Sequence, residues 1–192
     1  RRTGVFVAPI QVFGMAEHHL GFPGTMSLKP ETLKLVLHDL VISLAQNGFE
    51  RIYFINGHGG NIGTINAAFH QIYSTAIDRN LKVAKKLRCK LCNWFLVPEV
   101  YKLASDLYGK KEGKHATPSE IAVTLFLEPT LLSKHRPLPN PSPAGAITNY
   151  EDFRRMYPDG RMGSHPYLAK PEHGELFLQK ASIALSKDLE KF

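Results

Sequence analysis

Arg51-Ile52-Tyr53-Phe54-Ile55-Asn56-Gly57-His58-Gly59-Gly60-Asn61 runs from a short apolar segment into a glycine-rich turn, and helical spacing then extends from about Ile62 to Ile77. Strand, turn and helix in that order make up the opening of a βαβ unit. Upstream, Pro30 suits a first helical turn. Leu33, Val36, Leu37, Leu40, Val41 and Leu44 then recur at helical spacing until Asn47-Gly48 offers a left-handed stop. Further upstream, Val5-Phe6-Val7-Ala8-Pro9-Ile10 reads as a buried strand, followed by a loop through Gly14, Gly21, Pro23 and Gly24. Downstream, Leu81 to Phe95 carries another strand. This alternation predicts an α/β fold with a mainly parallel sheet covered by helices on both faces. Val97 to Tyr108 and a segment from Thr117-Pro118-Ser119-Glu120 to about Leu127 read as helices. A Pro-rich excursion at about 129–171 reads as ordered or partly ordered chain without a second core, and a closing helix begins after Pro171.

The 192 residues, 43% hydrophobic and 21% charged, suit one globular domain over 1–192 and argue against disorder. No run approaches the roughly 18 uninterrupted apolar residues of a spanning helix, and the first residues lack a secretory pattern. Two cysteines are too few for a disulfide framework, which points to a reducing, cytoplasmic setting. The net charge of +7 gathers most densely at Lys82, Lys85, Lys86, Arg88 and Lys90. That cluster lacks the aromatic interleaving of a nucleic-acid platform and reads as a solvated edge, so neither nucleic acid nor membrane is an expected partner.

Asn56 to Asn61 is the richest segment for chemistry. It falls at the carboxyl end of a strand, where open α/β sheets bind ligands, and its glycines allow close backbone approach. Spacing alone leaves His58 either as a residue projecting into that crevice or as an incidental member of a tight turn. A phosphate loop is disfavoured because the Gly-Lys-Ser/Thr ending is absent. His115 and Glu120 form a second pair, suited to a transition metal or to proton transfer. Thr117 and Glu120 also have capping-box spacing with Pro118 at the first helical position, so taken by itself Glu120 reads first as a helix cap. Glu17-His18-His19 lies in a loop at the same sheet edge, and one of its histidines is expected to reach the pocket. Cys89 and Cys92 sit three apart in a strand, on opposite faces, and so read as buried free thiols that share no ion. Trp94 at that strand's end reads as core or pocket wall.

Gly14-Met-Ala-Glu-His-His-Leu-Gly-Phe-Pro-Gly-Thr25, Asn56-Gly-His-Gly-Gly-Asn61, the pair His115 and Glu120, and Gly163 to Gly174 with its Lys170-Pro-Glu-His-Gly174 together resemble the creatininase family of metal-dependent amidohydrolases. Order and spacing agree over roughly residues 5 to 187. The resemblance implies a three-layer αβα sandwich and a centre of two divalent ions per subunit, zinc or manganese. It also implies homo-oligomers, commonly hexamers, and hydrolysis of a small cyclic amide or formamide-type substrate. By position, His58 matches a metal ligand, Glu120 an acidic residue serving metal and catalysis, and His115 a histidine that passes a proton to the leaving nitrogen. Gly59, Gly60, His18, His19 and Trp94 fall at substrate-binding positions, Trp94 where relatives carry an aromatic lid residue. Where one metal-binding Glu occurs in the family, this chain has Gly60. The family's first strand, ending in a Glu-x-His with an Asp beyond it, has no counterpart here. Counting only His58 and Glu120, the chain is expected to bind metal poorly, as a piece of a competent enzyme or as an inactive family member serving in ligand binding or assembly.

Overall fold

A computed structural model describes residues 3–134 and 143–192, so part of the Pro-rich excursion lies outside the described residues. In chain order the helices and strands are α1 (Pro30–Gln46), β1 (Arg51–Asn56), α2 (Asn61–Asp78), β2 (Arg88–Asn93), α3 (Pro98–Tyr108), α4 (Pro118–Leu127), α5 (Tyr150–Met156) and α6 (Pro171–Lys191). Among the described residues, β1 and β2 pair in parallel, from Arg51 opposite Arg88 to Asn56 opposite Asn93.

Side-chain alternation along these strands separates two cores. Ile52, Phe54, Cys89 and Leu91 pack on one face against Leu33, Leu37 and Val41 of α1 and Ile65, Phe69 and Ile72 of α2. On the other face, Cys92 joins Val100 and Ala104 of α3, Ala122 and Leu125 of α4, and Phe177 and Ala181 of α6. Helix, sheet and helix therefore form the expected αβα layering. The two cysteines do take opposite faces and are free, but they are half-buried rather than fully buried. Each fully buried side chain such as Ile72 or Phe177 contributes about 1.5–3 kcal/mol relative to exposure.

Two expectations need correction. Residues 5–10 form no strand, and Phe6 and Val7 are 91% and 87% exposed. Branched and aromatic residues favour extended backbone, but a strand also needs a partner edge, and β1 is paired only with β2 among the described residues. The excursion does build a small core. Phe153 of α5, Tyr157 and Met162 are buried together, with Phe22 of the 14–25 loop against them.

Candidate active site

The site begins where β1 ends. Asn56 is buried, and its amide nitrogen donates to the His58 carbonyl and to Asn93 Oδ1, each at 2.7 Å. Its Oδ1 accepts from the His58 N–H at 3.2 Å and from Asn61 Nδ2 at 3.1 Å. One side chain thus fixes the turn carrying His58. Asn61 Oδ1 in turn accepts from the Met15 N–H at 2.8 Å, tying the turn to the loop that holds the other histidines.

That loop coils into a single 3-10 turn over Glu17–His19. Successive residues in such a turn are about 120° apart rather than the 180° of a strand, so neighbouring rings can lean the same way. The His18 and His19 rings lie 4.0 Å apart between centroids, and they stand 5.7 and 5.5 Å from the His58 ring. The residues alone promised one of the two to the pocket and the family resemblance both; the structure brings both. One nitrogen from each of His18, His19 and His58 lies within 4.8 Å of the others.

Gly60 makes this approach possible by lacking a side chain. A Cβ there would sit 2.5 Å from His58 Nε2, 2.7 Å from the Met15 carbonyl and 3.0 Å from His18 Cε1. Its role is room for the imidazoles, beyond the substrate contact anticipated for it. Gly59 and Gly60 line the cavity at the amino end of α2.

His115 arrives from the opposite wall. Its carbonyl accepts from the Met162 N–H at 3.3 Å and from the Ser164 hydroxyl, while the Lys114 N–H donates to the Met162 carbonyl at 2.8 Å. The next residue, Ala116, has φ of 50°, a left-handed conformation that costs an alanine roughly 1 kcal/mol. So held, the His115 ring stands 4.3 Å from the His19 ring. Phe153 packs edge-on against His18, His19 and His115, closing that side.

Glu120 caps α4 and also borders the cavity. Its Oε2 accepts from the Thr117 N–H at 3.0 Å and from the Thr117 hydroxyl at 2.9 Å, and the Glu120 N–H donates back to that hydroxyl, completing the capping box of α4. It also faces the cavity, and its charge acts on His58 and on His115.

Burial lowers the pKa of all four imidazoles. His19 is pushed down to about 3 by burial first and then by His115, His18 and His58. His18 is lowered by burial, His58 and His115. For His58, burial outweighs the opposing Glu120 charge and nearby Met15 carbonyl, and for His115 burial outweighs Glu120. The rings are therefore neutral at pH 7, the form that offers a nitrogen lone pair to a metal or a proton. His58 Nε2 is shut off from water, and the Met15 backbone carbonyl lies beside the ring. The converging nitrogens of His18, His19 and His58, all from neutral imidazoles, fit a divalent metal by donor type.

These groups line a cavity of about 730 Å³, within the usual range for small-molecule sites. Phe95, Leu96 and Tyr101 supply apolar wall, with Lys110 and Lys114 also lining it. Trp94 is not among its lining residues. Its indole faces a neighbouring groove shared with Ile55, Val123 and Leu185, because the short turn after β2 sends Trp94 and Phe95 in different directions. One residue went unnoticed in the sequence: Glu112, whose carboxyl accepts from the Ser119 hydroxyl and is raised in pKa chiefly by burial. Nothing in Lys110-Lys111-Glu112 distinguishes it from a solvated charge.

Comparison with known proteins agrees with this geometry. The family model described as creatinine amidohydrolase matches residues 1–189. A mycofactocin precursor peptide peptidase of Mycolicibacterium smegmatis is 44% identical over 62 residues, 32% of this chain and 25% of that protein. One of Mycobacterium ulcerans is 33% identical over 77 residues, 40% of this chain and 30% of that protein. The matched stretches thus span less than a third of these relatives' lengths. Among solved structures, a manganese creatininase superposes with a TM-score of 0.73 at 21% identity, covering 88% of this chain and 67% of that one. A creatininase variant of Zn-Zn type gives 0.76 at 20% identity, covering 93% and 71%. The αβα layering, the histidine turn at the end of β1 and the near full-length family match together make this chain a member of the creatininase family.

Proposed function

We propose that the chain hydrolyses a C–N bond of a small amide, cyclic or formamide-like, with a divalent metal held beside His58. The observation that carries this reading is the convergence of His58, His115 and Glu120 from three separate segments on one cavity lined by neutral imidazoles. Bound there, such an ion would supply polarisation of the amide carbonyl and a water nucleophilic near neutral pH.

The chain's own groups divide the remaining work. His115, neutral and fixed through its backbone, takes up a proton and passes it to the departing nitrogen. Glu120 favours the charged form of His115, so the proton-bearing state is accessible during turnover. The Gly59 and Gly60 N–H groups, at the amino end of an 18-residue helix, face developing negative charge on the carbonyl oxygen. One such donor is worth about 3 kcal/mol where it has been removed elsewhere. Phe95, Leu96 and Phe153 border the site with apolar surface and limit water.

A peptide substrate is a second reading, favoured by the two relatives named as mycofactocin precursor peptide peptidases. Metal-supplemented protein incubated in ¹⁸O-water with creatinine, a formamide and short peptides distinguishes the two. One ¹⁸O in the carboxylate product of a small amide, lost in His115→Ala, is the expected result. Label only in cleaved peptide supports the second reading, and no labelled product from any of them overturns both.

A further inference from the structure

C–N hydrolysis leaves the remainder of the substrate undefined, and the charge balance of the cavity speaks to it. Resting on that reading of the site, we propose that the substrate is an anion whose scissile amide carries a carboxylate or phosphate tail, bound by Lys110 and Lys114.

The first observation is one of charge. The four imidazoles on the cavity are neutral at pH 7, and both carboxyls that line it are already engaged. Glu120 Oε2 is held by the N–H and hydroxyl of Thr117. Glu112 accepts from the Ser119 hydroxyl, and burial raises its pKa. Lys110 and Lys114 flank Glu112 in sequence and line the same cavity, yet neither forms an ion pair with a described residue. Lys86, Lys90 and Lys102, by contrast, each pair with an acid. Two uncompensated ammonium groups beside neutral rings give the cavity a positive potential, which draws in an anion.

The second observation is that the segment carrying these lysines is fixed. The Lys111 carbonyl accepts from the His165 N–H at 2.9 Å, and the Lys114 N–H donates to the Met162 carbonyl at 2.8 Å. Between them Gly113, with φ of 69°, lies so close to the backbone of residues 162–164 that a Cβ would collide with it. Binding a tail therefore orders two side chains but no loop, which limits its entropic cost. The third is space. A cavity of about 730 Å³ is sized for a ligand well beyond creatinine or a simple formamide, and Phe95 and Tyr101 offer apolar wall for the carbon skeleton between amide and tail. Lysine acts as a point charge without the fork of arginine, so carboxylate and phosphate are equally served.

The test uses the metal-supplemented full chain at neutral pH and three matched formamides: N-formylglycine, N-formylaminoethyl phosphate and uncharged N-formylglycinamide. Calorimetry reads binding, and released formate reads C–N cleavage. Expected is a kcat/KM and an affinity at least about tenfold higher for an anionic formamide than for the uncharged one. Whichever anion is preferred names the tail. Raising ionic strength should narrow the preference, because both lysines are exposed. Lys110→Met and Lys114→Met should each reduce the anionic-to-uncharged ratio at least about threefold, and the double variant further. Lys180→Met, exposed on α6 and outside the cavity lining, should leave the ratio unchanged. Circular dichroism confirms the fold of each variant. Equal treatment of charged and uncharged formamides, or a ratio that neither cavity lysine moves, overturns the anionic substrate while cleavage keeps the hydrolytic reading standing. Lysine-dependent binding of the anions without any cleavage supports the anion site and counts against the hydrolytic reading. Neither binding nor cleavage of any of the three overturns both.

Discussion

Gly60 shows how one missing methyl governs the site. Its φ of −59° is open to any residue, so backbone strain does not explain a glycine there. Contact does, since an added Cβ would press on His58 Nε2, His18 Cε1 and the Met15 carbonyl at once. Gly60→Ala should keep the fold but lower the melting temperature by a few degrees, and weaken divalent-metal binding at least about tenfold because His18 and His58 must part. Calorimetric titration beside a melting curve reads both effects, and unchanged affinity contradicts the crowding argument. The same residue marks where the sequence ceases to inform. Its place in Asn56-Gly57-His58-Gly59-Gly60-Asn61 was legible as a turn at a strand end, because that signal is local. Which atoms would crowd it was not, because His18 and Met15 lie more than forty positions away and are drawn in by the single bond from the Met15 N–H to Asn61.

At the scale of elements, α4 and α6 cross so closely at Gly174 that a Cβ would run into the Ala122 carbonyl and the Phe126 side chain. An alanine in a helix ordinarily gains about 1 kcal/mol over glycine. Here the clash is with backbone, which cannot swing away, and overpacking costs about 1–3 kcal/mol or more. Gly174→Ala should therefore destabilise by about 1–2 kcal/mol net, read as a fall of about 2–8 °C in melting temperature. A rise would show that the helices separate without cost. The far end of α6 is tied to the sheet by charge. Asp188 accepts from Tyr53 at 2.5 Å and pairs with Lys90 at 2.7 Å, and these two bonds hold its carboxyl below the usual aspartate range. A carboxylate whose folded pKa is depressed stabilises above its unfolded pKa, near 3.9, and loses that contribution as pH falls through the folded value. Asp188→Asn should thus lower the melting temperature at pH 7, and the gap should shrink as pH falls below about 3.9 through the depressed folded value. The difference stays small because both partners are more than a third exposed. A gap that persists unchanged into acid contradicts the assignment. The elements themselves were largely legible. Pro30, Asn47-Gly48 and the Thr117 to Glu120 box mark helix ends through short-range chemistry, and α1 and α4 start where those signals place them. Residues 5–10 had strand composition but no partner edge, a property that composition does not encode.

For the whole molecule, two cores on either side of a parallel pair carry the carboxyl end of β1 to a point where four separate segments deliver His18 and His19, His58, His115, and Glu120. His58, His115 and Glu120 were recognisable from local motifs and from resemblance to the family. The joint arrival of His18 and His19 was legible only through that resemblance, because it depends on a 3-10 turn at Glu17–His19 and on Phe153 from the Pro-rich excursion closing over it. Motif matching along the sequence assigned those two rings to substrate, and it carries no information on how near they come to His58. A crystal of the zinc-soaked protein measured on either side of the zinc absorption edge tests this convergence most directly. Expected is anomalous density beside the imidazole of His58, with His115 and Glu120 facing the same cavity. A peak elsewhere, or none in a crystal whose zinc content is confirmed by fluorescence, contradicts the account.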